Sequence, residues 1–197
     1  MGDSVMGNVF VDGNAKGLFE SHGFEVQRSA TPGYGLLDDP QHGYSFEMAR
    51  RVANFDPDIV VLEFIGSYHA FGDPGIPGVD ISSPMFYAAW QDEAESVTRQ
   101  AVARGAEAFW VLGPAVGISQ QWSDLVHTIA EGYREIGATL CDTHYVDAFQ
   151  VLGDPWVAGP WRTPEGVHLT AEGGAVLARA ICDRVATLST IATQPCG

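Results

Sequence analysis

Cysteine is scarce in this sequence, and the few cysteines present form no recognisable framework. The 197 residues include only Cys141, Cys182 and Cys196, which show neither a CxxC spacing nor a zinc-binding pattern with the six histidines. An odd number of cysteines without a framework indicates reduced thiols, although one disulfide bridge is compatible with the count. We predict neither a bound metal nor a cofactor.

Basic residues are also scarce, with ten lysines and arginines against twenty-five acidic residues and a formal charge of −15. Such a negative field repels nucleic acid and anionic membrane surfaces, so we expect neither as a partner. No apolar run is long enough to cross a bilayer, and no basic-plus-apolar leader is visible. The chain as written is therefore expected to be soluble and cytoplasmic.

The remaining composition is that of one globular domain. Hydrophobic residues make up 46% of the chain and charged residues 18%, which distinguishes it from disordered sequences. A chain of 197 residues is long enough for one well-buried core. We expect the domain to span residues 1–188 and residues 189–197 to form a loose C-terminal tail.

Hydrophobic patterning predicts an alternation of strands and helices. The segments with the apolar composition of strands are 24–30, 58–64, 107–113 and 138–149. Apolar residues recur at helical spacing in 44–55, 84–104 and 122–136, and Thr170 is a suitable N-cap for a last helix. This alternation predicts a three-layer α/β domain, with a mostly parallel sheet covered by helices on both faces.

Two long connections rich in glycine and proline, residues 66–84 and 150–166, follow strand-like segments. Long loops inside a compact domain are typically functional or mobile. In parallel sheets of this kind, ligands bind beyond the carboxyl ends of the strands. We therefore expect both connections at one rim of the sheet, with the second leading directly into His168.

Ser4 near the start of the chain and the pair Glu165 and His168 near its end carry the groups that nucleophilic catalysis requires. A serine hydroxyl becomes an effective nucleophile when a base takes its proton and a third group orients that base. Glu165 lies three residues before His168, so one turn of chain can bring its carboxylate to the imidazole. Backbone N–H groups in TPGYG (31–35) are candidates for binding an oxyanion.

These residues also have structural interpretations. Ser4 is compatible with an ordinary turn serine, and His168 with a loop histidine packed on the last helix. The segment DTHYVD (142–147) offers Asp142, His144 and Asp147 as a nominal metal cluster. On an extended strand, however, Asp147 would not share the face of the other two, which disfavours a metal site there.

Two blocks at opposite ends of the chain resemble those of a known family. GDS at residues 2–4 is similar to the nucleophile block of the SGNH, or GDSL-type, hydrolases, and GVHLT at 166–170 is similar to their closing block. TPGYG and VVLEFIG (60–66) resemble the two glycine-bearing blocks between them. The resemblance covers residues 2 to about 188, and EF-x-G within the strand is similar to the actinobacterial branch.

The resemblance implies a flavodoxin-like α/β/α fold and the activity of a serine esterase. It assigns Ser4 as the nucleophile, His168 as the base and Glu165 as the acid that orients it. It further implies that the backbone N–H groups of Ser4 and Gly35 form the oxyanion hole.

The sequence departs from the family pattern in three places. The block that normally supplies an oxyanion-binding asparagine reads GSYH (66–69), so the hydroxyl of Ser67 or Tyr68 is expected as a substitute donor. The acid is Glu165 in place of the usual aspartate. The family has a buried strand before the GDS block, and here only Met1 precedes that block. This predicts a truncated first strand and a true start upstream. With such a start, an extracytoplasmic location is expected.

The resemblance implies a short acyl group on a carbohydrate or a small natural product as the substrate. The candidates for lining the pocket, each also suited to anchoring its own loop, are His69, Phe71, Trp156 and Trp161. Three alternatives remain at this stage. They are an acyltransferase with the same triad, a non-catalytic SGNH-like domain that binds a glycan or a protein partner, and a metal-dependent hydrolase that uses residues 142–147.

Overall fold

The computed structural model describes residues 1–33, 35–37, 43–65, 83–114, 116–117, 119–153 and 160–189. Its helices are α1 (Ser4–Val11), α2 (Ala15–Ser21), α3 (Gly43–Phe55), α4 (Pro84–Val102), α5 (Gln120–Thr139), α6 (Ala148–Leu152) and α7 (Ala171–Ser189). Its strands are β1 (Ile59–Leu62), β2 (Glu107–Leu112) and β3 (Thr143–Asp147). Strands and helices therefore alternate along the chain from α3 onwards, as the hydrophobic pattern predicts.

The three strands are parallel and pair in the order β1-β2-β3. Residues Met1–Asp3 extend this sheet beyond β1, because Gly2 forms parallel bridges with both Glu63 and Ala30. In chain order the five sheet positions thus lie 2-1-3-4-5, which is the flavodoxin-like order. The first chain segment is the second of these five positions, at the point where the strand order reverses.

The predicted strand at 24–30 is wrong for most of its length, since only Ala30 pairs, and it pairs with Gly2 alone. An apolar sequence can form a ladder only where a neighbouring strand offers hydrogen-bond partners, and residues 1–3 accompany only its end. A cavity of about 590 Å³ adjoins this segment, bounded by side chains that include Met1, Phe24, Val61 and Ile181.

Successive residues of β2 point to opposite faces of the sheet, and each face is covered by helices. Ala108, Trp110 and Leu112 belong to a core cluster with residues of α3, α4 and α5. Phe109 and Val111 belong to a second cluster with residues of α1, α2, α6 and α7. The predicted three-layer α/β/α architecture is confirmed, and β2 is its buried centre.

The predicted helices at 44–55, 84–104 and 122–136 correspond to α3, α4 and α5. Thr170 caps α7, because its Oγ1 accepts a hydrogen bond from the Gly173 N–H at 3.1 Å. The predicted strand at 138–149 is shorter than expected. The turn at Asp142, with φ of 58°, precedes β3, and Asp147 ends it by accepting the Gln150 N–H as the N-cap of α6.

The indication of reduced thiols is wrong for Cys141, whereas the one disulfide bridge with which the cysteine count was compatible is present. Cys141 is disulfide-bonded, whereas Cys182 is a free thiol buried in the second core cluster. The sequence spacing alone could not identify this bridge, because a disulfide depends on which cysteines the fold brings together. Within the described ranges, no helix is long and apolar enough to cross a membrane.

Candidate active site

Ser4 lies at the carboxyl end of the first sheet segment, at the point where the strand order reverses. The chain turns there from extended backbone into α1, whose N-cap is Asp3 and whose first residue is Ser4. The Asp3 Oδ1 accepts the Val5 N–H at 2.8 Å and so fixes the first turn. The partial positive charge of a helix N-terminus therefore lies next to the Ser4 hydroxyl.

His168 joins the two ends of the chain. Its Nε2 is 3.0 Å from the Ser4 Oγ, and its Nδ1 is 2.6 Å from the Glu165 Oε1. An ionised carboxylate can only accept a hydrogen bond, so the ring proton lies on Nδ1. Nε2 is then the acceptor that faces the Ser4 hydroxyl, which is the arrangement required of a general base.

A short two-stranded ribbon holds Glu165 and His168 in place. Arg162 and Leu169 form an antiparallel bridge, and the Thr163 N–H donates to the His168 carbonyl at 3.0 Å. The Thr163 hydroxyl donates to the same carbonyl at 3.0 Å. These contacts fix the backbone on both sides of the turn from which the two side chains project.

Thr163 also influences the pKa of Glu165. Its hydroxyl is the largest influence that lowers the pKa of Glu165, to about 2, with further lowering by a backbone N–H and by His168. Glu165 is therefore a carboxylate throughout the neutral range. Since its side chain is 50% exposed, solvent screens part of this interaction.

Gly166 makes the turn between the acid and the base possible. Its φ of +81° lies in the region that favours glycine, and a Cβ there would be 2.9 Å from the carbonyl carbon of Gly117. The Gly117 N–H donates to the Gly166 carbonyl at 2.8 Å. The turn thus packs backbone to backbone against the segment that follows β2.

The remaining predicted site residues divide into two groups. Gly35 is described and buried, and Trp161 is half-buried against the second core cluster, where its carbonyl accepts the Thr170 N–H. The others, Ser67, Tyr68, His69, Phe71 and Trp156, lie outside the described residues. The assignments of Gly35, of Trp161 and of these five residues to a substrate or oxyanion site stay predictions.

Sequence patterns missed two residues of the site. Thr163 binds the His168 carbonyl and lowers the pKa of Glu165. Glu63 lies buried behind the turn at Ser4, where its Oε2 accepts the Met6 N–H at 3.0 Å. Glu63 is a charged residue inside the apolar run VVLEF, and this position was the signal that could have identified it. Glutamate is rarely fully buried without a specific partner.

The nominal metal residues of 142–147 have other contacts. Asp147 pairs with Arg134 at 2.9 Å, and the His144 ring packs against Phe109 with 4.9 Å between centroids. Asp142 lies in the turn before β3 rather than on the strand. In the part of the chain that the structure describes, no three histidine, cysteine or carboxylate side chains form a cluster suited to a metal ion.

Comparisons with known proteins agree with this architecture. A family model described as protein of unknown function (DUF459) matches residues 1–184. No curated protein matches the sequence.

Solved structures resemble the whole chain at low sequence identity. Est24, a carbohydrate acetylesterase from Sinorhizobium meliloti, has a TM-score of 0.65 and 16% identity over 90% of this chain and 85% of its own. A family 3 carbohydrate esterase from Clostridium thermocellum has a TM-score of 0.66 and 13% identity over 98% and 96%. A GDSL-like lipase from Bacteroides thetaiotaomicron has a TM-score of 0.67 and 17% identity over 95% and 86%. The chain thus belongs to the DUF459 family and has the fold of the SGNH hydrolases.

Proposed function

We propose that the protein is a serine esterase that hydrolyses carboxylic esters through an acyl-enzyme on Ser4. The observation that carries this proposal is the continuous hydrogen-bonded chain from Ser4 through His168 to Glu165. Ser4 and His168 are 164 positions apart in the sequence and meet here, and Glu165 is already ionised. We also propose an actinobacterial-like branch of the SGNH hydrolases, supported by the EF-x-G pattern, whose Glu63 and Phe64 directly follow β1.

In the first half-reaction, the Ser4 Oγ attacks the ester carbonyl carbon while His168 Nε2 takes the hydroxyl proton. The tetrahedral intermediate collapses, the C–O bond to the alcohol breaks, and His168 returns the proton to the leaving oxygen. In the second half-reaction, His168 deprotonates a water molecule that attacks the acyl group. The bond between the acyl carbon and the Ser4 Oγ then breaks, the carboxylic acid product leaves, and His168 returns the proton to Ser4.

The negative charge on the carbonyl oxygen needs donors that are oriented before the reaction begins. The Ser4 N–H at the start of α1 is the first of these, and it is supported by the helix dipole. The resemblance supplies Gly35 as the second donor and a hydroxyl of Ser67 or Tyr68 as the third. Loss of one such donor typically reduces kcat by about 10²–10³-fold, so the substitution at this block is expected to influence the rate.

We propose a short acyl group on a carbohydrate as the substrate. The support is the class of the neighbours, since Est24 is a carbohydrate acetylesterase and the Clostridium protein a carbohydrate esterase. An acyltransferase would use the same triad with an alcohol in place of water. Product analysis with and without added sugar acceptors distinguishes the two reactions.

The test is intact-mass spectrometry after treatment with a small fluorophosphonate, followed by a panel of acetyl and longer-chain esters. We expect one adduct on the wild type, none on Ser4→Ala and slower labelling of His168→Ala. Ser21→Ala is a matched control, because the Ser21 hydroxyl also lies near a histidine, His22, at 3.3 Å. Ser21→Ala should label like the wild type. A folded wild type that forms no adduct would refute the proposal and favour a binding domain.

A further inference from the structure

Two carboxyl groups are buried together behind the nucleophile turn, and the mechanism above uses neither. Asp3 is 1% exposed and Glu63 is fully buried. Asp3 directly precedes Ser4, and Glu63 follows β1 and pairs with Gly2 in the sheet. The two carboxyls lie within hydrogen-bonding reach of each other. Two buried carboxylates in contact repel strongly, so the pair is stable only if it holds one proton.

Both oxygens of Asp3 already accept hydrogen bonds from the backbone. Oδ1 accepts the Val5 N–H at 2.8 Å, and Oδ2 accepts the Ile65 N–H at 2.9 Å. Hydrogen bonds of this kind favour the charged form of a carboxyl group. Both Asp3 oxygens have such a bond, so we assign Asp3 as the ionised partner.

Glu63 has the complementary arrangement. Its Oε2 accepts the Met6 N–H at 3.0 Å, whereas Oε1 receives no N–H or O–H donor from the described residues. Burial, followed by the charge of Asp3, raises the pKa of Glu63 well above its usual range. Oε1 is therefore the atom that can carry the proton and donate it to Asp3.

We propose that Glu63 is a positioning residue, whose neutral carboxylic acid donates to Asp3 and accepts from Met6, so that the end of β1 holds the first turn of α1. The pair then links three backbone N–H groups, those of Val5, Met6 and Ile65, through two side chains. This link sets the position of the Ser4 Oγ relative to His168. The role in catalysis rests on the proposed function, whereas the location of the proton does not.

Other titratable groups surround the pair, and the experiment must separate their effects from those of Glu63. The Met1 amino group and Arg51 act on this region, and Tyr44 and Tyr133 are influenced by the charge of Asp3. The pKa values of the Met1 amino group and of Tyr133 also respond to Glu63, so both change when Glu63 is replaced. Neither an amine nor a phenol gives a carboxyl band, so the infrared spectrum reports the proton on Glu63 without interference from these groups.

Glu63→Gln and Glu63→Met form the decisive pair of variants. Glutamine keeps one donor for Asp3 and one acceptor for Met6, whereas methionine fills a similar volume and provides neither. We expect Glu63→Gln to react with the fluorophosphonate at the wild-type rate. Glu63→Met should react about 10²-fold more slowly, because a small displacement of a nucleophile has an effect of that size. Glu107→Gln, at the amino end of β2, is the control and should label like the wild type.

Two further readouts follow the proton itself. Infrared difference spectra should show a protonated carboxyl band at neutral pH in the wild type that is absent from Glu63→Gln. The Tm of Glu63→Gln relative to the wild type should increase with pH. A group with a raised folded-state pKa stabilises the fold below its unfolded pKa of about 4.5, and this stabilisation is lost as pH rises toward the folded value.

Each outcome either supports or overturns the proposal. Equal slowing of Glu63→Gln and Glu63→Met would overturn it, and so would a missing carboxyl band together with a Tm difference that does not change with pH. If Glu63→Met does not fold, the labelling rate and pH dependence of Glu63→Gln still decide. If the wild type forms no adduct, the catalytic role fails with the proposed function, while the band and the Tm difference still test the proton on Glu63.

Discussion

At the scale of single residues, the site depends on which atoms can donate and which can accept. The ionised Glu165 can only accept, so it fixes the tautomer of His168 and leaves Nε2 available to the Ser4 hydroxyl. Thr163 lowers the pKa of Glu165 still further below the neutral range, in which a glutamate is already ionised.

Replacement of Glu165 by glutamine is expected to slow labelling of Ser4 by roughly 10²-fold, because a neutral amide stabilises the imidazolium poorly and does not enforce its tautomer. The control is Glu20→Gln, an exposed glutamate whose only described ion pair is with Lys16. Labelling of Glu165→Gln at the wild-type rate would show that Ser4 and His168 act without the acid.

The stability of Glu165→Gln relative to the wild type is also expected to depend on pH. The pKa of Glu165 is lowered to about 2 in the fold, so its stabilising contribution is present above the unfolded value of about 4.5. This contribution is lost as pH falls toward 2. The Tm difference between the wild type and Glu165→Gln should therefore narrow as pH falls below 4.5. Thermal unfolding in a pH series measures it, and a difference that widens below pH 4.5 would contradict the assigned direction.

At the scale of elements, a ribbon and a helix N-terminus hold the proposed catalytic residues, and both need backbone in close contact. The ribbon formed by residues 161–163 and 168–170 is fixed by hydrogen bonds that do not involve the catalytic side chains. Gly166 closes its turn against Gly117, and Gly2 brings the first sheet segment against Glu63, where a Cβ would be 2.4 Å from the Glu63 carbonyl oxygen. Small residues at these contacts allow the chain ends to meet.

Gly166→Ala should lower both stability and the labelling rate of Ser4. An alanine at this φ costs about 1–2 kcal/mol, and its Cβ would also push the turn away from Gly117. Gly105→Ala is a matched control, because Gly105 has a similar φ of +88° with open space around its Cβ. Both variants should lose Tm in thermal unfolding, but only Gly166→Ala should label more slowly. Equal labelling of the two would mean that the turn does not position Glu165 and His168.

At the scale of the whole molecule, the two core clusters and the net charge act on every element at once. The clusters bury both faces of β2, and Tyr133 connects the first cluster to the sheet by donating from its hydroxyl to the Phe64 carbonyl at 3.0 Å. The formal charge of −15 opposes this compaction through repulsion between like charges.

Raising the NaCl concentration from 10 to 150 mM is expected to raise the Tm. The range of charge interactions falls over that interval from about 30 Å to about 8 Å, which weakens the long-range repulsion more than the short-range ion pairs. KCl at the same ionic strength should give the same shift in differential scanning calorimetry. A Tm that falls with salt would mean that local ion pairs outweigh the net charge.

Sequence patterns determined much of the fold, because periodicity reports burial directly. The apolar runs identified β1, β2 and the central part of β3, and helical spacing identified α3, α4 and α5. The sequence did not predict how little of 24–30 forms a strand, nor the helices α1 and α2. Strand formation at 24–30 depends on a partner strand elsewhere in the chain. Helix α1 depends on its N-cap and on Glu63, which is distant in sequence.

For the site, the sequence by itself supplied the chemical groups Ser4, Glu165 and His168, since residue types and short spacings are local properties. Tertiary structure alone decided that Ser4 lies 3.0 Å from His168 across 164 positions, and that Thr163 and Glu63 support them. It also decided that Cys141 is disulfide-bonded. Distances between remote segments follow from how the layers pack, and burial changes which protonation states are stable. Neither quantity is encoded in any single stretch of the sequence.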